Sequence, residues 1–380
     1  MSAADFRRTL SRDDGFDRRQ RWLRRLHLDL PLLALVLLTA AYGLVVLYSA
    51  LDRDGVAFQG QLSRLAVAFV VMLIAAQLDL AMLQRWAPVL YGLGMVMLVL
   101  VLLVGVEAKG AQRWLGVPGL PRFQPSELMK LAVPLMAASF LADRPLPPTA
   151  KTVASVLALI AAPALLIGLQ PDLGTAILVA AAGFAVLLLS GLFWRWVLLA
   201  GLLGLAALPG LWMVMRDYQR QRVLTLLDPE GDPLGAGWNI IQSKIAIGSG
   251  GLFGKGLFEG TQSHLNFLPE SHTDFIIAVL AEELGFLGVL GLLTLYFLLL
   301  TRGLYIATQG RDTFARLLAG GLTLTFFTYL FVNVAMVSGL LPVVGVPLPL
   351  VSYGGTSALT LLAGFGVLMA VATQPKPLAS

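Results

Sequence analysis

Runs of about 18 or more predominantly apolar residues, each long enough to cross a hydrocarbon core of about 30 Å as α-helix, recur from residue 31 to residue 373 of this chain. A segment in lipid must satisfy its backbone N–H and C=O groups within the protein, and none of these runs has the period-2 alternation of a barrel strand. Helices are therefore the only spanning form open to them. The expected spans are 31–50, 62–78, 86–105, 126–142, 151–168, 174–190, 195–215, 274–300, 313–338 and 350–373. The fold class that follows is all-α: a polytopic integral membrane protein with about ten transmembrane helices and one long extracytoplasmic loop. Hydrophobic residues make up 57% of the sequence and charged residues 13%, which leaves no soluble domain of useful size between the spans.

Charge sets the orientation. Arg7, Arg8, Arg12, Arg18, Arg19, Arg21, Arg24 and Arg25 precede the first span. Basic residues gathered beside a membrane helix read as a cytoplasmic anchor near anionic lipid, so the net charge of +5 does not imply a nucleic-acid partner. With the N-terminus inside, Arg85, Arg144, Lys151, Arg195, Arg302, Arg311 and Lys376 also fall on the cytoplasmic side, and an even number of crossings returns the C-terminus there. The expected organisation is a basic cytoplasmic tail at 1–30, one transmembrane domain at 31–373 and a short cytoplasmic tail at 374–380. The first apolar run is long and lacks a tight small-x-small site, so it is expected to stay as an anchor and not to be cleaved as a signal peptide. The sequence contains no cysteine, which excludes a disulfide framework, a thiolate metal site and a thiol nucleophile. His27, His264 and His272 have no metal-ligand spacing.

One connection, about 216–273, is long and lies outside. Loops of that length in a compact protein are usually functional or disordered. Trp238 to Ile247 has apolar positions at helical spacing and predicts a re-entrant or interfacial helix. The run Gly248 to Gly256 that follows fails as a phosphate-binding loop, because Gly254-Lys255-Gly256 has no Ser or Thr after the lysine and no strand precedes it. A second outer segment, 106–125, carries Lys109, Arg113 and Arg122 against the bulk charge rule, so a task is expected of those cations.

Ionisable groups inside spans cost a few kcal/mol even on lenient scales, and each is a candidate for function. In Gln124-Pro-Ser-Glu-Leu-Met-Lys130, Glu127 and Lys130 stand three apart on one helix face, where pairing reduces the burial cost. Two uses are open: an ion pair that fixes helix packing, or a lysine facing an outward cavity that receives an anionic substrate, with Glu127 orienting it. The latter predicts that both lie near Asp274. Asp274 ends Pro269-Glu-Ser-His-Thr-Asp274, where an apolar run begins, which puts one carboxylate at the boundary of water and hydrocarbon. Poor solvation there raises a carboxylate pKa toward that of a general base, whereas a helix N-terminus lowers it. A helix cap is the alternative use, although Ser271 or Thr273 would serve equally well. Glu282 lies eight residues on and roughly on the same face, with Glu283 beside it. Asp172 and Thr175, in Pro171-Asp-Leu-Gly-Thr175, suit the start of a helix.

Taken with the segment from Asn333 to Ser357, which reads NVAMVSGLLPVVGVPLPLVSYGGTS, these motifs resemble the shape, elongation, division and sporulation (SEDS) family of integral membrane proteins, over nearly the entire chain. Gly260 to Pro269 looks more like the RodA branch than the FtsW branch, although Ser271 departs from the arginine frequent there. Physically, Pro342, Pro347 and Pro349 forbid regular helix and the Gly354-Gly355 pair permits close backbone approach, so the segment reads as an outer lid or re-entrant loop.

The resemblance implies a peptidoglycan glycosyltransferase that polymerises lipid II on the outer face of a bacterial plasma membrane during cell elongation, with Asp274 as catalytic residue. Expected partners are lipid II, the growing lipid-linked glycan strand and a class B penicillin-binding protein acting as transpeptidase. Asp274 would act as general base, while Lys130, Glu127 and the outer cations Arg113 and Arg222 would contact the substrate. No cofactor is fixed by this scheme; a divalent cation such as Mg2+ or Mn2+ could help to neutralise the pyrophosphate, although no dedicated carboxylate cage is evident. A lipid II flippase and a noncatalytic scaffold are the rival readings from other classes.

Overall fold

The computed structural model describes residues 27–108, 111–116, 123–215, 217–231, 236–264, 268 and 270–374. The arginine-rich tail, Lys109, Arg122 and the last residues including Lys376 lie outside the described residues. Ten long helices match the ten expected spans: α1 Leu30–Ala50, α2 Gly55–Ala76, α3 Leu80–Val104, α4 Pro125–Ala142, α5 Ala150–Leu169, α6 Leu173–Leu189, α7 Trp194–Val214, then α11 Ile276–Gln309, α12 Thr313–Val337 and α13 Gly355–Thr373. The long connection after α7 contributes α8 Asp217–Leu227, α9 Ala236–Ser249 and the single turn α10 Thr261–His264. Seven of the helices are long and apolar enough to cross a membrane. Two more, α6 and the first part of α7, are apolar but shorter, and α4 is the tenth. The chain is a multi-pass membrane protein.

Helix starts follow local chemistry. Asp29, Asp54, Asp79, Thr149, Asp172 and Asp312 stand at N-cap positions with a side-chain oxygen accepting from a backbone N–H of the first turn, which satisfies donors that a helix leaves unpaired. The last helix begins at Gly355 and not near 350 as expected, because Pro347 and Pro349 hold the chain irregular before it.

Burial separates an inner from an outer set of helices. In α12 and α13, 72% and 61% of the most apolar window is buried inside the protein, against 22% in α2, α3 and α11. The outer helices turn leucine and valine outward, as a lipid solvent requires. The inner pair instead meets α4, α6 and α2 across small residues. A Cβ at Gly366 of α13 would fall 2.3 Å from the Met72 carbonyl oxygen of α2, so the two backbones touch only because that residue is glycine.

Two features at the ends of the helices were not expected from an all-α reading. A two-stranded antiparallel hairpin, β1 Val106–Ala108 with β2 Ala111–Trp114, rises between α3 and α4; it is too short for the pattern to announce itself. The other concerns α11, where Gly285 has φ 65° and ψ −164° and interrupts the helix. There the Gly-rich run supplies the missing partners. Phe286 N–H donates to the Gly251 carbonyl at 2.9 Å and Leu287 N–H to that of Leu252 at 3.1 Å, while Lys255 and Gly256 N–H groups donate to Glu282 and Glu283 carbonyls at 3.0 and 2.9 Å. The run is thus a clasp on a broken helix. The expected helix around Trp238–Ile247 is present within α9 and packs on α11.

Backbone this close demands glycine on both sides: a Cβ at Gly285 would lie 2.3 Å from Gly254 N, and one at Gly254, itself at φ 79°, would lie 2.1 Å from the Glu283 carbonyl oxygen. Gly285→Ala is expected to lower stability by at least about 1–3 kcal/mol from backbone conformation alone. Gly248→Ala, where a Cβ meets nothing within 4 Å, should be neutral or mildly stabilising. Thermal unfolding of the two detergent-solubilised variants makes the comparison.

Candidate active site

Asp274 lies just before α11, half-buried, and the cap position belongs to Phe275, which makes no side-chain cap bond. The carboxylate is therefore not the N-cap of that helix. The backbone around it is held by the Asn333–Ser357 segment. Asn333 of α12, fully buried, donates its amide to the Asp274 carbonyl at 2.9 Å and to the Val346 carbonyl at 2.7 Å. Ser352 Oγ donates to the Thr273 carbonyl and accepts from Leu348 N–H at 2.8 Å, and Tyr353 N–H donates to the His272 carbonyl at 2.8 Å. A Cβ at Gly345 would stand 3.6 Å from Asp274 Oδ2, so the signature loop also forms one wall beside the carboxylate. The proline-rich signature is a clamp that fixes His272, Thr273 and Asp274 at successive points.

Glu127 and Lys130 form the expected pair on α4, with Nζ 2.6 Å from Oε1 and side chains 9% and 4% exposed. Thr360 of α13 donates to Glu127 Oε2 at 3.2 Å, and Lys130 Nζ lies 4.9 Å from the centre of the Tyr329 ring of α12. The pair joins α4 to both inner helices. The structure differs here from the expected outward-open cavity: a space of about 20 Å³ borders Lys130, room for about one water molecule and not for a headgroup. The pair is nonetheless linked to Asp274, because Tyr329 and Asn333 are four residues apart on one face of α12. Buried Ser126 Oγ and Asn333 Oδ1 have no hydrogen-bond partner among the described residues, polar capacity unusual in a packed interior.

Arg113, on β2, is engaged. Its guanidinium donates to the Pro171 carbonyl and lies 3.8 Å from Asp172, which also accepts from Gln124 Nε2 at 3.0 Å while capping α6. This ties the hairpin to the starts of α4 and α6. Arg222 sits half-buried on α8, which packs chiefly on α9 and the turn Pro229–Gly231. Glu282, with no exposed side-chain surface, accepts from Lys255 Nζ at 2.6 Å, Thr261 N–H at 2.8 Å and Gln262 N–H at 3.0 Å. It thereby pins the loop that leads to Asp274. Neither this role of Glu282 nor those of Asn333 and Ser352 is apparent from spacing, since each partner is distant in sequence. Among the described residues no group of three or more His, Asp or Glu gathers at metal-binding distance.

With this geometry in place, comparison with known proteins is decisive. The family model described as cell cycle protein, covering FtsW, RodA and SpoVE, matches residues 29–376. The chain belongs to that family. It is 54% identical over 355 residues to the peptidoglycan glycosyltransferase MrdB of Escherichia coli K12, covering 93% of this chain and 96% of the relative. To the probable peptidoglycan glycosyltransferase FtsW of Trichlorobacter lovleyi it is 38% identical over 361 residues, covering 92% and 94%. The rod shape determining protein RodA of Thermus thermophilus superposes with a TM-score of 0.69 at 34% identity, over 90% of this chain and 96% of that one. A chain from a structure described as coordinating polymerization and crosslinking in a peptidoglycan synthase complex superposes with a TM-score of 0.78 at 37% identity, over 90% and 97%. The FtsW/RodA/SpoVE assignment, RodA-like before FtsW-like, agrees with the motifs.

A buried ion pair is costly to break and cheap to replace whole. Lys130→Met alone is expected to destabilise this family member by about 3–5 kcal/mol, since it leaves Glu127 buried without its charge partner. The double variant Glu127→Gln/Lys130→Met should recover most of that loss. Equal unfolding temperatures for the single and double variants would show that burial of the pair does not control stability.

Proposed function

We infer that this chain is a peptidoglycan glycosyltransferase that polymerises lipid II into glycan strands at the outer face of a bacterial plasma membrane during cell elongation. The observation that carries the site assignment is Asp274: a half-buried residue just before the helix, whose backbone is clamped by Asn333 while Ser352 and Tyr353 hold the two residues before it. Fixing a base from behind and leaving its carboxylate at the aqueous boundary is the arrangement that proton abstraction needs.

In this scheme a sugar 4-hydroxyl attacks the anomeric carbon of a second lipid-linked sugar. The C–O bond to the polyprenyl pyrophosphate breaks as the new glycosidic bond forms, with inversion. Asp274 takes the hydroxyl proton and the leaving pyrophosphate carries away the electron pair. A divalent cation, if used, enters with the pyrophosphate as part of the substrate. Lys130 lies beneath the site, next to Tyr329, and with Glu127 holds α4 against α12 and α13 there. Arg113 shapes the outer rim through Asp172, and Arg222 is assigned to the pyrophosphate from α8.

The synthase-complex relative suggests a crosslinking partner, which we take to be a class B penicillin-binding protein. Both termini are placed in the cytoplasm. Cysteines introduced at Lys244 or Phe253, both exposed, should label with a membrane-impermeant reagent from outside, whereas one at Arg144 should be protected; the reverse pattern would put the site on the wrong face for this substrate.

Asp274→Asn should leave a folded, membrane-inserted protein while lowering glycan polymerisation by about a hundredfold to ten-thousandfold, the usual cost of a lost general base. The assay is purified protein supplied directly with lipid II, which needs no flipping and so separates polymerase from flippase. Near-wild-type polymer from a well-folded Asp274→Asn sample would remove Asp274 from the reaction.

A further inference from the structure

Beside the Asp274 clamp, between the outer part of α2, the end of β2 and the start of α13, lies an open groove of about 570 Å³. Its upper part is lined by Ser63, Arg64, Trp114 and Thr356, its lower part by Val67 and Leu359. Val67 and Leu359 are 57% and 38% exposed, so the groove passes from polar walls to apolar walls that face the bilayer. That gradient fits an amphiphile with a charged head and a hydrocarbon tail.

Arg64 is the cation of this groove. Its guanidinium lies over the Tyr353 ring, 4.9 Å from the centre, and it has no carboxylate partner among the described residues, whereas Arg113, Lys130, Lys255 and Arg302 each stand beside one. A Cβ at Gly355 would fall 2.9 Å from Arg64 Cδ, so glycine is what lets the side chain lie along the start of α13. The cation is therefore held in place without being neutralised. Tyr353, which precedes the lining residue Gly354, in turn packs edge-on against His272, with ring centres 5.7 Å apart, and His272 is two residues from Asp274.

We propose that this groove seats the pyrophosphate–sugar headgroup of a polyprenyl-linked substrate, with Arg64 binding phosphate and Trp114 packing on the sugar. The assignment rests on the polymerase reading above for the identity of the substrate. Guanidinium offers paired donors to phosphate oxygens and stacks on an aromatic face at the same time, and an indole presents a flat apolar face with a polar edge. The tail runs down past Val67 and Leu359 into the membrane.

The test uses the full chain in phosphatidylcholine nanodiscs and farnesyl pyrophosphate, a polyprenyl pyrophosphate with no sugar, as titrant. Wild type should bind it, Arg64→Gln should bind about tenfold to a hundredfold more weakly, and Arg64→Lys should recover part of the affinity. In polymerisation, Arg64→Gln should raise KM for lipid II more than it lowers kcat. Unchanged farnesyl pyrophosphate binding by Arg64→Gln overturns the proposal, as does equal loss in Arg64→Gln and Arg64→Lys with a lowered unfolding temperature. Replacement of half the phosphatidylcholine by phosphatidylglycerol distinguishes the source of the phosphate: abolished binding would make the groove a bulk-phospholipid site and overturn the assignment. Arg64-dependent binding by a protein that does not polymerise lipid II would uphold the headgroup seat while the polymerase reading fails.

Discussion

The carboxamide of Asn333 makes two hydrogen bonds on which the rest of the site depends. One reaches the Asp274 carbonyl at the end of the outer loop and the other the Val346 carbonyl in the signature segment. Neither stretch is regular helix, so neither satisfies its own backbone in a setting where water is scarce. A single buried donor on the central helix α12 thus binds two irregular segments to the rigid interior. An unpaired buried carbonyl costs about 1–3 kcal/mol, which makes the register of both segments a matter of helix geometry and not of loop preference.

The same logic recurs at each departure from helix. Glu282 answers the backbone N–H groups of Thr261 and Gln262, and the Gly-rich run answers those of Phe286 and Leu287. Asp172 caps α6 while receiving Arg113 and Gln124. Charged residues here act mostly as connectors between elements that lipid alone would let slide, since apolar surfaces have little to gain by leaving hydrocarbon for one another.

The fold was legible to the degree that lipid dictates it. Ten spans follow from length and polarity, and Asp274 and the Glu127–Lys130 pair stand out because charge is scarce. What could not be read was distance between remote residues. The signature from Asn333 to Ser357 is recognisable as a motif, yet nothing in its spacing says that Ser352 and Tyr353 grip Thr273 and His272. Arg64 is an ordinary basic residue at the outer end of a span, and only the closeness of Gly355 and Tyr353 gives it a position. The choice between a packing pair and an outward-facing Lys130 stayed open for a related reason. Helical spacing tells which face a residue shares, but not whether the neighbouring helices close over it, and here α12 and α13 do.

The break at Gly285 divides α11 into unequal parts. The longer, Phe286–Gln309, rises about 36 Å and by itself suffices to cross the bilayer; the shorter, Ile276 to Leu284, is buried in protein along nearly its whole length. Surplus length that would otherwise tilt a helix is converted into a fixed pedestal. Asp274 stands at its head, so its position is set by the protein packed around this short segment and not by the span beyond the break. A chain built this way carries its own ruler, and a substrate anchored by a tail must present its sugar at that one position, whatever the length of the tail below.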